Sequence, residues 1–270
     1  EDTSGIDTLN ASGATGGVTI DLTPGSTSNI NGRMVTLSSG GTVDVPLDVL
    51  FLQDASGSFG DDVAKVKTLV PQVVSALSSV QADNRFGLAS FIDKGEYVYR
   101  TDLAMTANQT SLVNALNTLT IGSGGDSPEA QIEALMQAAL RQTELGFRAE
   151  SFRVAVVMTD ADYHKAGDTS YVANDGDAVL ELEDYPTVAL LKTKLLASGI
   201  VPVFAVTAGN ETYYNNLVDQ LGFGTVVTLA ADSSNLVDAL TDGMTQITEA
   251  RIENAIGSIY NDTLIGNGLD

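Results

Sequence analysis

Residues 47–58 read Leu-Asp-Val-Leu-Phe-Leu-Gln-Asp-Ala-Ser-Gly-Ser, an almost continuous apolar run that ends in small and oxygen-bearing side chains. Such a run, closed by turn residues, predicts a strand that is buried on both faces, because a strand with one solvated face alternates apolar and polar residues. Strands of this kind are typical of parallel sheets covered by helices. The stretch therefore predicts an α/β domain, with Asp54, Ser56 and Ser58 at the carboxyl end of a strand.

Similar apolar runs recur along the chain, separated by stretches with helical periodicity. The predicted strands are 47–53, 86–92, 153–159, 200–206 and 225–229. The predicted helices are 61–79, 109–118, 128–144, 187–198, 212–220 and 234–249. This alternation predicts a doubly wound, mostly parallel central sheet with helices on both faces, in which sites form at the carboxyl ends of the strands.

The two ends of the chain differ in composition from the α/β domain, which we assign to residues 46–250. Residues 1–45 are rich in Gly, Ser and Thr and predict a short flanking β segment or part of a neighbouring domain. In residues 251–270, Gly257 and Gly266 stand nine residues apart. This spacing resembles the calcium-binding repeat of RTX proteins, so the stretch is predicted to be a linker followed by the start of such a repeat.

The chain is strongly acidic, with 35 acidic against 13 basic residues and a net charge of -22. Such a field repels phosphate backbones and argues against nucleic acid as a partner. The excess of acidic residues can reflect a solvated surface or dedicated metal sites, and the spacing of the acids decides between these two explanations. The chain has no cysteine, so any metal must be held by oxygen ligands or by the single histidine, His164. No apolar run approaches the roughly 20 residues that span a bilayer.

Three separate elements bring oxygen-bearing side chains to one edge of the predicted sheet. Alternate residues of an extended loop face the same way, so Asp54, Ser56 and Ser58 can present three oxygens to one point. A second buried strand ends in Asp160, and residues 126–129, Asp-Ser-Pro-Glu, open a predicted helix. Taken singly, each feature has a simpler explanation in helix capping or the helix dipole. Together they predict a site for a hard cation.

In order and spacing, these residues resemble the integrin β I-like domain, a branch of the von Willebrand factor A (VWA) superfamily. The matching segments are 54–58, 61–62, 85–94, 126–129, 159–161, 184–186, 204–207 and 232–235. The likeness runs from about Pro46 to Ile247. The Asp61-Asp62 pair and the Asp-Ser-Pro-Glu motif are specific to the integrin branch, whereas Asp-x-Ser-x-Ser marks only the broad class.

The resemblance implies three adjacent metal sites. The central, metal-ion-dependent adhesion site would use Ser56, Ser58 and Glu129 directly, with Asp54 and Asp160 close by or acting through water. Hydroxyls bring no negative charge, so a cation held in this way stays electrophilic and seeks an anionic ligand from outside. Mg²⁺ suits such an open site because it retains waters, with Mn²⁺ or Ca²⁺ as substitutes.

The two implied flanking sites are richer in carboxylates and suit Ca²⁺. The first would take Asp61, Asp62 and the main-chain carbonyls of Ser58 and Ala231. The second would take Asp93, Asp126, Glu129 and the carbonyl of Pro128. Gly124 stands where the family usually has an asparagine that helps to hold the ion of the second site, so that site should be weaker.

The leading interpretation is a non-enzymatic adhesion module that binds an Asp or Glu carboxylate of a protein ligand. The alternative is a calcium-stabilised structural spacer in a large secreted RTX-type protein. A third possibility is a metal-dependent hydrolase, with Ser56 or a metal-activated water as nucleophile and His164 or Glu129 as base.

The RTX-like tail also implies an extracellular or cell-surface location and a bacterial relative. The stretch 99–123 lacks the long cysteine-stapled loop that integrin β subunits use against their α subunit, which argues against an α-subunit-like partner. The fragment is expected to be monomeric.

Overall fold

A six-stranded sheet lies at the centre of the computed structural model, which describes residues 7–10, 18–21, 27–30, 33–36, 46–125, 127–180, 183–249, 252–256 and 263–265. The strands are β1 Asp7–Asn10, β2 Thr19–Asp21, β3 Thr27–Ile30, β4 Arg33–Thr36, β5 Leu47–Asp54, β6 Asn84–Phe91, β7 Arg100–Thr106, β8 Phe152–Thr159, β9 Ile200–Thr207, β10 Thr225–Leu229, β11 Ile252–Ile256 and β12 Thr263–Ile265. The helices are α1 Gly60–Val80, α2 Gln109–Thr118, α3 Gln131–Leu140, α4 Gln142–Leu145, α5 Val188–Ser198, α6 Glu211–Leu221 and α7 Leu236–Glu249.

The central sheet has the order β10-β9-β8-β5-β6-β7 and is parallel except for the β6–β7 pair. This confirms the predicted α/β class with a mostly parallel sheet. All five predicted strands are present, and β7 is an additional one. The stretch that forms β7, Arg-Thr-Asp-Leu-Ala-Met-Thr, was missed because it lies at the edge, where its mixture of polar and apolar residues is only partly buried.

Helices cover both faces of the sheet, as predicted. Along β5, Val49 and Phe51 pack on one face with α1, α2 and α7, whereas Leu50 and Leu52 pack on the other with α3, α5 and α6. Successive side chains of a strand point to opposite faces, so a central strand between two helical layers must be apolar on both. This is why residues 47–52 are nearly all apolar. None of the helices described is long and apolar enough to cross a membrane.

One charged residue interrupts that apolar strand. Asp48 is fully buried near the start of β5, and its carboxylate accepts hydrogen bonds from the main-chain N, Nε and Nη2 of Arg148 at 2.7, 2.9 and 2.6 Å. The hydroxyl of Ser151 donates a fourth hydrogen bond at 2.8 Å. A buried carboxylate with this many donors is well compensated. The cluster lies at the amino end of β5, opposite to Asp54.

The predicted helix 128–144 begins later and is interrupted. Its first turn is absent, because Glu129 forms an isolated parallel bridge with Tyr163. The amide of Glu129 donates to the carbonyl of Asp162 at 3.0 Å, and its own carbonyl accepts from the amide of His164 at 2.9 Å. Residue 129 is therefore held in an extended link to the loop after β8. The helical stretch is then divided between α3 and α4.

The segments that flank the α/β domain pair with each other. β1 runs parallel to β11, and β2 runs parallel to β12 in a second sheet of order β12-β2-β3-β4. The short β segment predicted within residues 1–45 is thus present, and part of the tail joins it. The proposed domain boundaries and the RTX likeness of the tail stay predictions.

Candidate metal site

Asp54 ends β5 inside the protein, with both carboxylate oxygens engaged. Oδ1 accepts the amide of Ser56 at 2.8 Å, and Oδ2 accepts the hydroxyl of Thr159 at 2.6 Å. Burial raises the pKa of Asp54 to about 6, although these hydrogen bonds act in the opposite direction. The carboxylate is therefore rigidly placed, and its negative charge at neutral pH is costly unless a cation lies nearby.

Two residues that the sequence did not assign to the site support this placement. Thr159, which is fully buried at the end of β8, bridges to Asp54. The side-chain amide of Gln131, also fully buried, donates to the hydroxyl oxygen of Thr159 at 2.9 Å. The start of α3, the end of β8 and the end of β5 are thus joined through one buried polar chain. Its members lie more than 25 residues apart, so no local pattern could have indicated it.

The side-chain oxygens of Ser56, Ser58 and Asp160 lie close together, next to the end of β5. The two serine hydroxyl oxygens lie 3.2 Å apart, and the Ser58 hydroxyl donates to Oδ1 of Asp160 at 3.1 Å. Adjacent ligands of an octahedral Mg²⁺ with metal–oxygen bonds of about 2.1 Å lie about 3 Å from each other. The oxygen separations therefore fit neighbouring positions around one such cation. Ser58 is exposed, so this point is open to solvent.

Glu129 is almost completely buried and lies near Ser56. A Cβ atom placed on Gly124 would fall 2.3 Å from Oε1 of Glu129 and 3.2 Å from Cβ of Ser56. The carboxylate thus lies against the bare backbone of Gly124, whose φ of +83° is also one that glycine favours. The structure brings Glu129 to the same side as Ser56, and a side chain at residue 124 would displace it.

The first flanking site has its two acids on the first turn of α1. Asp62 is buried, and its Oδ1 accepts the hydroxyl of Ser233 at 2.5 Å. Burial raises the pKa of Asp62, and the nearby carboxylates of Asp61, Asp160 and Asp232 raise it further. Crowded carboxylates of this kind favour a bound cation.

Ser233 was not assigned to the site from sequence, although segment 232–235 belongs to the family likeness. It adopts a φ of +51° and is fully buried. Its hydroxyl ties the loop after β10, which also carries Ala231, to the start of α1. The loop that would supply the Ala231 carbonyl is therefore anchored next to Asp62.

The second flanking site is only partly visible, because Asp126 falls outside the described residues. Asp93 is buried and accepts the hydroxyl of Tyr185 at Oδ1. Nε2 of His164 lies 3.7 Å from Oδ2 of Asp93, and the imidazole stacks on the Tyr185 ring at 4.5 Å. The surroundings of Asp93 thus include an aromatic hydroxyl and an imidazole that the sequence did not place there.

The proposed sites depend on more than acidic side chains. Within the part of the chain that the structure describes, no group of three or more His, Cys, Asp or Glu side chains is placed to hold a metal ion by itself. A metal site in this region would also need serine hydroxyls and main-chain carbonyls, as the resemblance implies. Ser56 and Ser58 offer two hydroxyl oxygens, and Asp160 offers a carboxylate oxygen beside them.

Comparison with known proteins identifies the family of this domain. Residues 42–98 and 95–251 match the family described as the integrin beta chain VWA domain. The chain belongs to this family. The matched residues include every described side chain discussed above for the central and flanking sites.

Three curated relatives are 28% to 30% identical to this integrin β VWA domain over the aligned residues. Integrin beta-PS of Drosophila melanogaster is 28% identical over 262 residues, which cover 83% of the chain and 31% of that protein. Integrin beta-1 of Gallus gallus is 30% identical, over 78% of the chain and 31% of that protein. Integrin beta-2 of Sus scrofa is 30% identical, over 86% of the chain and 34% of that protein. The chain therefore spans about a third of the length of these relatives.

Among solved structures, the VWA domain of SpRpn10 is similar with a TM-score of 0.49 and 14% identity, over 77% of this chain and 98% of that one.

Proposed function

We propose that this VWA domain is a cation-dependent adhesion module, which binds an Asp or Glu carboxylate of a protein ligand through a divalent cation at Asp54, Ser56 and Ser58. The observation that carries the proposal is the cluster of Ser56, Ser58 and Asp160 oxygens, with separations of 3.2 and 3.1 Å, beside an exposed Ser58. Membership of the integrin β VWA family supports it.

The residues present suit an electrophilic central cation. Two of the proposed direct ligands, Ser56 and Ser58, are neutral hydroxyls, and Glu129 brings one charge. Asp54 is held one step back by the Ser56 amide and the Thr159 hydroxyl. When bound, Mg²⁺ or Mn²⁺ would supply an open coordination position with residual positive charge for an external carboxylate. Ca²⁺ is proposed for the flanking sites at Asp61 and Asp62 and at Asp93.

A protein ligand on the cell exterior is the partner class that we propose. The net charge of -22 disfavours anionic surfaces and nucleic acid, so recognition of an acidic group requires a local positive centre such as a bound cation. An extracellular location is proposed from kinship with integrin β chains. The part of the chain between Tyr99 and Ser123 forms β7 and α2 without a long extra loop, so we do not propose an α-subunit-like partner.

The two other functions considered from sequence have less support. A hydrolase with Ser56 as nucleophile and His164 as base would need the imidazole within hydrogen-bond reach of Ser56. Both ring nitrogens of His164 face carboxylates instead, with Nδ1 3.1 Å from Asp168 and Nε2 3.7 Å from Asp93. The RTX-type spacer and the bacterial origin gain no support from the comparisons, and adhesion is the function that we carry forward.

The test uses Mn²⁺ as the probe cation and a short peptide with a single aspartate as the probe ligand. Mn²⁺ bound at an open site broadens the NMR signals of a carboxylate that binds to it, even at millimolar affinity. We expect broadening of the aspartate signals with the wild type, and none with an asparagine analogue of the peptide, with Ser58→Ala, or in chelator. Equal broadening with wild type and Ser58→Ala would contradict the proposal.

A further inference from the structure

The loop 122–125, Gly-Ser-Gly-Gly, forms one wall of the central site. It leads directly into the Asp-Ser-Pro-Glu segment that ends with Glu129. Gly124 and Gly125 have φ values of +83° and +88°, which glycine adopts at little cost. Three glycines in four residues also leave the free chain with a large conformational entropy. Some other contact must therefore hold the loop in one conformation.

The inner side of this loop lies against the Asp-x-Ser-x-Ser segment. The amide of Gly122 donates to the carbonyl of Ala55 at 2.9 Å. A Cβ atom on Gly57 would fall 3.1 Å from the carbonyl oxygen of Ser123. Further along, the bare Cα of Gly124 lies beside the Glu129 carboxylate. A shift of the loop by a fraction of an ångström would therefore change the position of the Glu129 carboxylate.

The outer side of the loop is held by one carboxylate, that of Glu96. Its Oε1 accepts the amides of Ser123 and Gly124 at 2.8 and 3.0 Å. Successive amides that converge on one anion form a small anion-binding nest, and hydrogen bonds to a charged acceptor are stronger than neutral ones. The fit is close, because a Cβ atom on Gly122 would fall 2.1 Å from Oε2 of Glu96.

Glu96 is itself fixed next to the second flanking site. It lies in the turn between β6 and β7, where its amide donates to the carbonyl of Asp93 at 3.1 Å. The Glu96 side chain thus connects the turn that carries Asp93 with the loop that leads to Glu129. No local pattern around Glu96 in the sequence points to this role.

We propose that Glu96 is a positioning residue for the central cation site. Its carboxylate holds the loop 122–125 against the Asp-x-Ser-x-Ser segment and thereby fixes the Glu129 carboxylate beside Ser56. Glu96 takes no part in holding the cation directly. The inference rests on the proposed cation site. Glu96 lies outside the segments that carry the family likeness, so it is an addition to the residues that the likeness implies.

The test compares Glu96→Ala, Glu96→Gln and a control, Glu150→Ala, which removes an exposed carboxylate near the other end of the sheet. Mn²⁺ binding is measured by calorimetry, with Ser58→Ala as the baseline that lacks the central site. Loss of partners that orient metal ligands typically weakens metal affinity by about 10- to 100-fold. We expect a loss of about tenfold for Glu96→Ala and little change for Glu150→Ala. Glu96→Gln should retain most of the affinity, because its amide oxygen can accept the same two hydrogen bonds.

A second readout does not depend on the cation. In chelator, the Ser123 and Gly124 amides should exchange with solvent faster in Glu96→Ala than in the wild type or Glu96→Gln. Wild-type affinity in Glu96→Ala would overturn the inference and leave the proposed site intact. Equal losses of Mn²⁺ affinity in the alanine and glutamine variants would also overturn it, because the charge of Glu96 rather than its two hydrogen bonds to the loop would then matter. If the wild type bound no more Mn²⁺ than Ser58→Ala, the proposed function itself would be wrong.

Discussion

Replacing Asp54 with asparagine should stabilise the protein without metal and weaken its response to cations. Burial raises the pKa of this carboxyl from 3.8 to about 6, so folding favours its protonated form. The stability that it contributes is complete below about pH 4 and is lost as the pH rises through about 6. A difference of about two pKa units corresponds to about 3 kcal/mol at pH 7.5. Asparagine removes that cost.

The substitution also has a smaller opposing effect. The asparagine oxygen can still accept the amide of Ser56, but the hydrogen bond from the Thr159 hydroxyl to Oδ2 is lost or reversed. A lost hydrogen bond of this kind costs about 1 kcal/mol. The expected net gain in the free energy of unfolding in chelator at pH 7.5 is therefore about 2 kcal/mol. Below about pH 4, where the cost of the buried charge is absent, the variant should instead be about 1 kcal/mol less stable than the wild type.

Urea unfolding followed by circular dichroism measures this difference. With Mg²⁺ at about 100 times its dissociation constant, the wild type should gain about 2.7 kcal/mol that the variant does not. The order of stability should then be reversed or the two should be equal. The exposed Asp232, which lies near Asp62, offers a control, because Asp232→Asn removes a charge that is not buried. A variant less stable than the wild type in chelator at pH 7.5 would refute the argument that the Asp54 charge is buried at a cost.

Two further substitutions test other parts of the structure. Gly124→Ala should lower Mn²⁺ affinity at the central site by at least tenfold, because the new Cβ would lie 2.3 Å from Oε1 of Glu129, and calorimetry would show it. Gly167→Ala is the matched control, since its φ of +99° carries similar backbone strain but nothing lies within 4 Å of the added atom. Arg148→Met should lower the free energy of unfolding by about 3 kcal/mol, because Asp48 would stay buried without its ion-pair partner. Urea unfolding measures this loss, and unchanged Mn²⁺ affinity would show that the effect is confined to the amino end of the sheet.

The parts of the fold that sequence predicts are those set by burial. β5 and β8 could be predicted because a central strand between helical layers must be apolar on both faces. β7 could not, because an edge strand has one solvated side and a mixed composition. The predicted helix start at residue 128 was wrong because of a contact with a distant part of the chain. Ser127 and Pro128 favour a helix start locally, but the main chain of Glu129 is held by residues 162–164.

The candidate site divides in the same way. Ser56, Ser58 and Asp160 follow from residue type and from the rule that parallel strands end at one edge of a sheet. The residues that hold them do not follow from any spacing. Gln131, Ser233 and Glu96 act on partners that lie 28, 171 and 27 positions away. Their roles are set by the packing of loops, which a single sequence does not encode in a readable pattern.

The pairing of the two flanking segments has a mechanical consequence. β1 precedes the α/β domain, β11 follows it, and the two run parallel to each other. Pulling the chain ends apart would draw these strands in opposite directions along their length, so that their hydrogen bonds would be loaded together in shear. β2 and β12 form a second pair of the same kind. Tension along the chain would therefore be borne first by these two strand pairs, and the proposed cation site in the domain between them would stay unloaded until the strands slid.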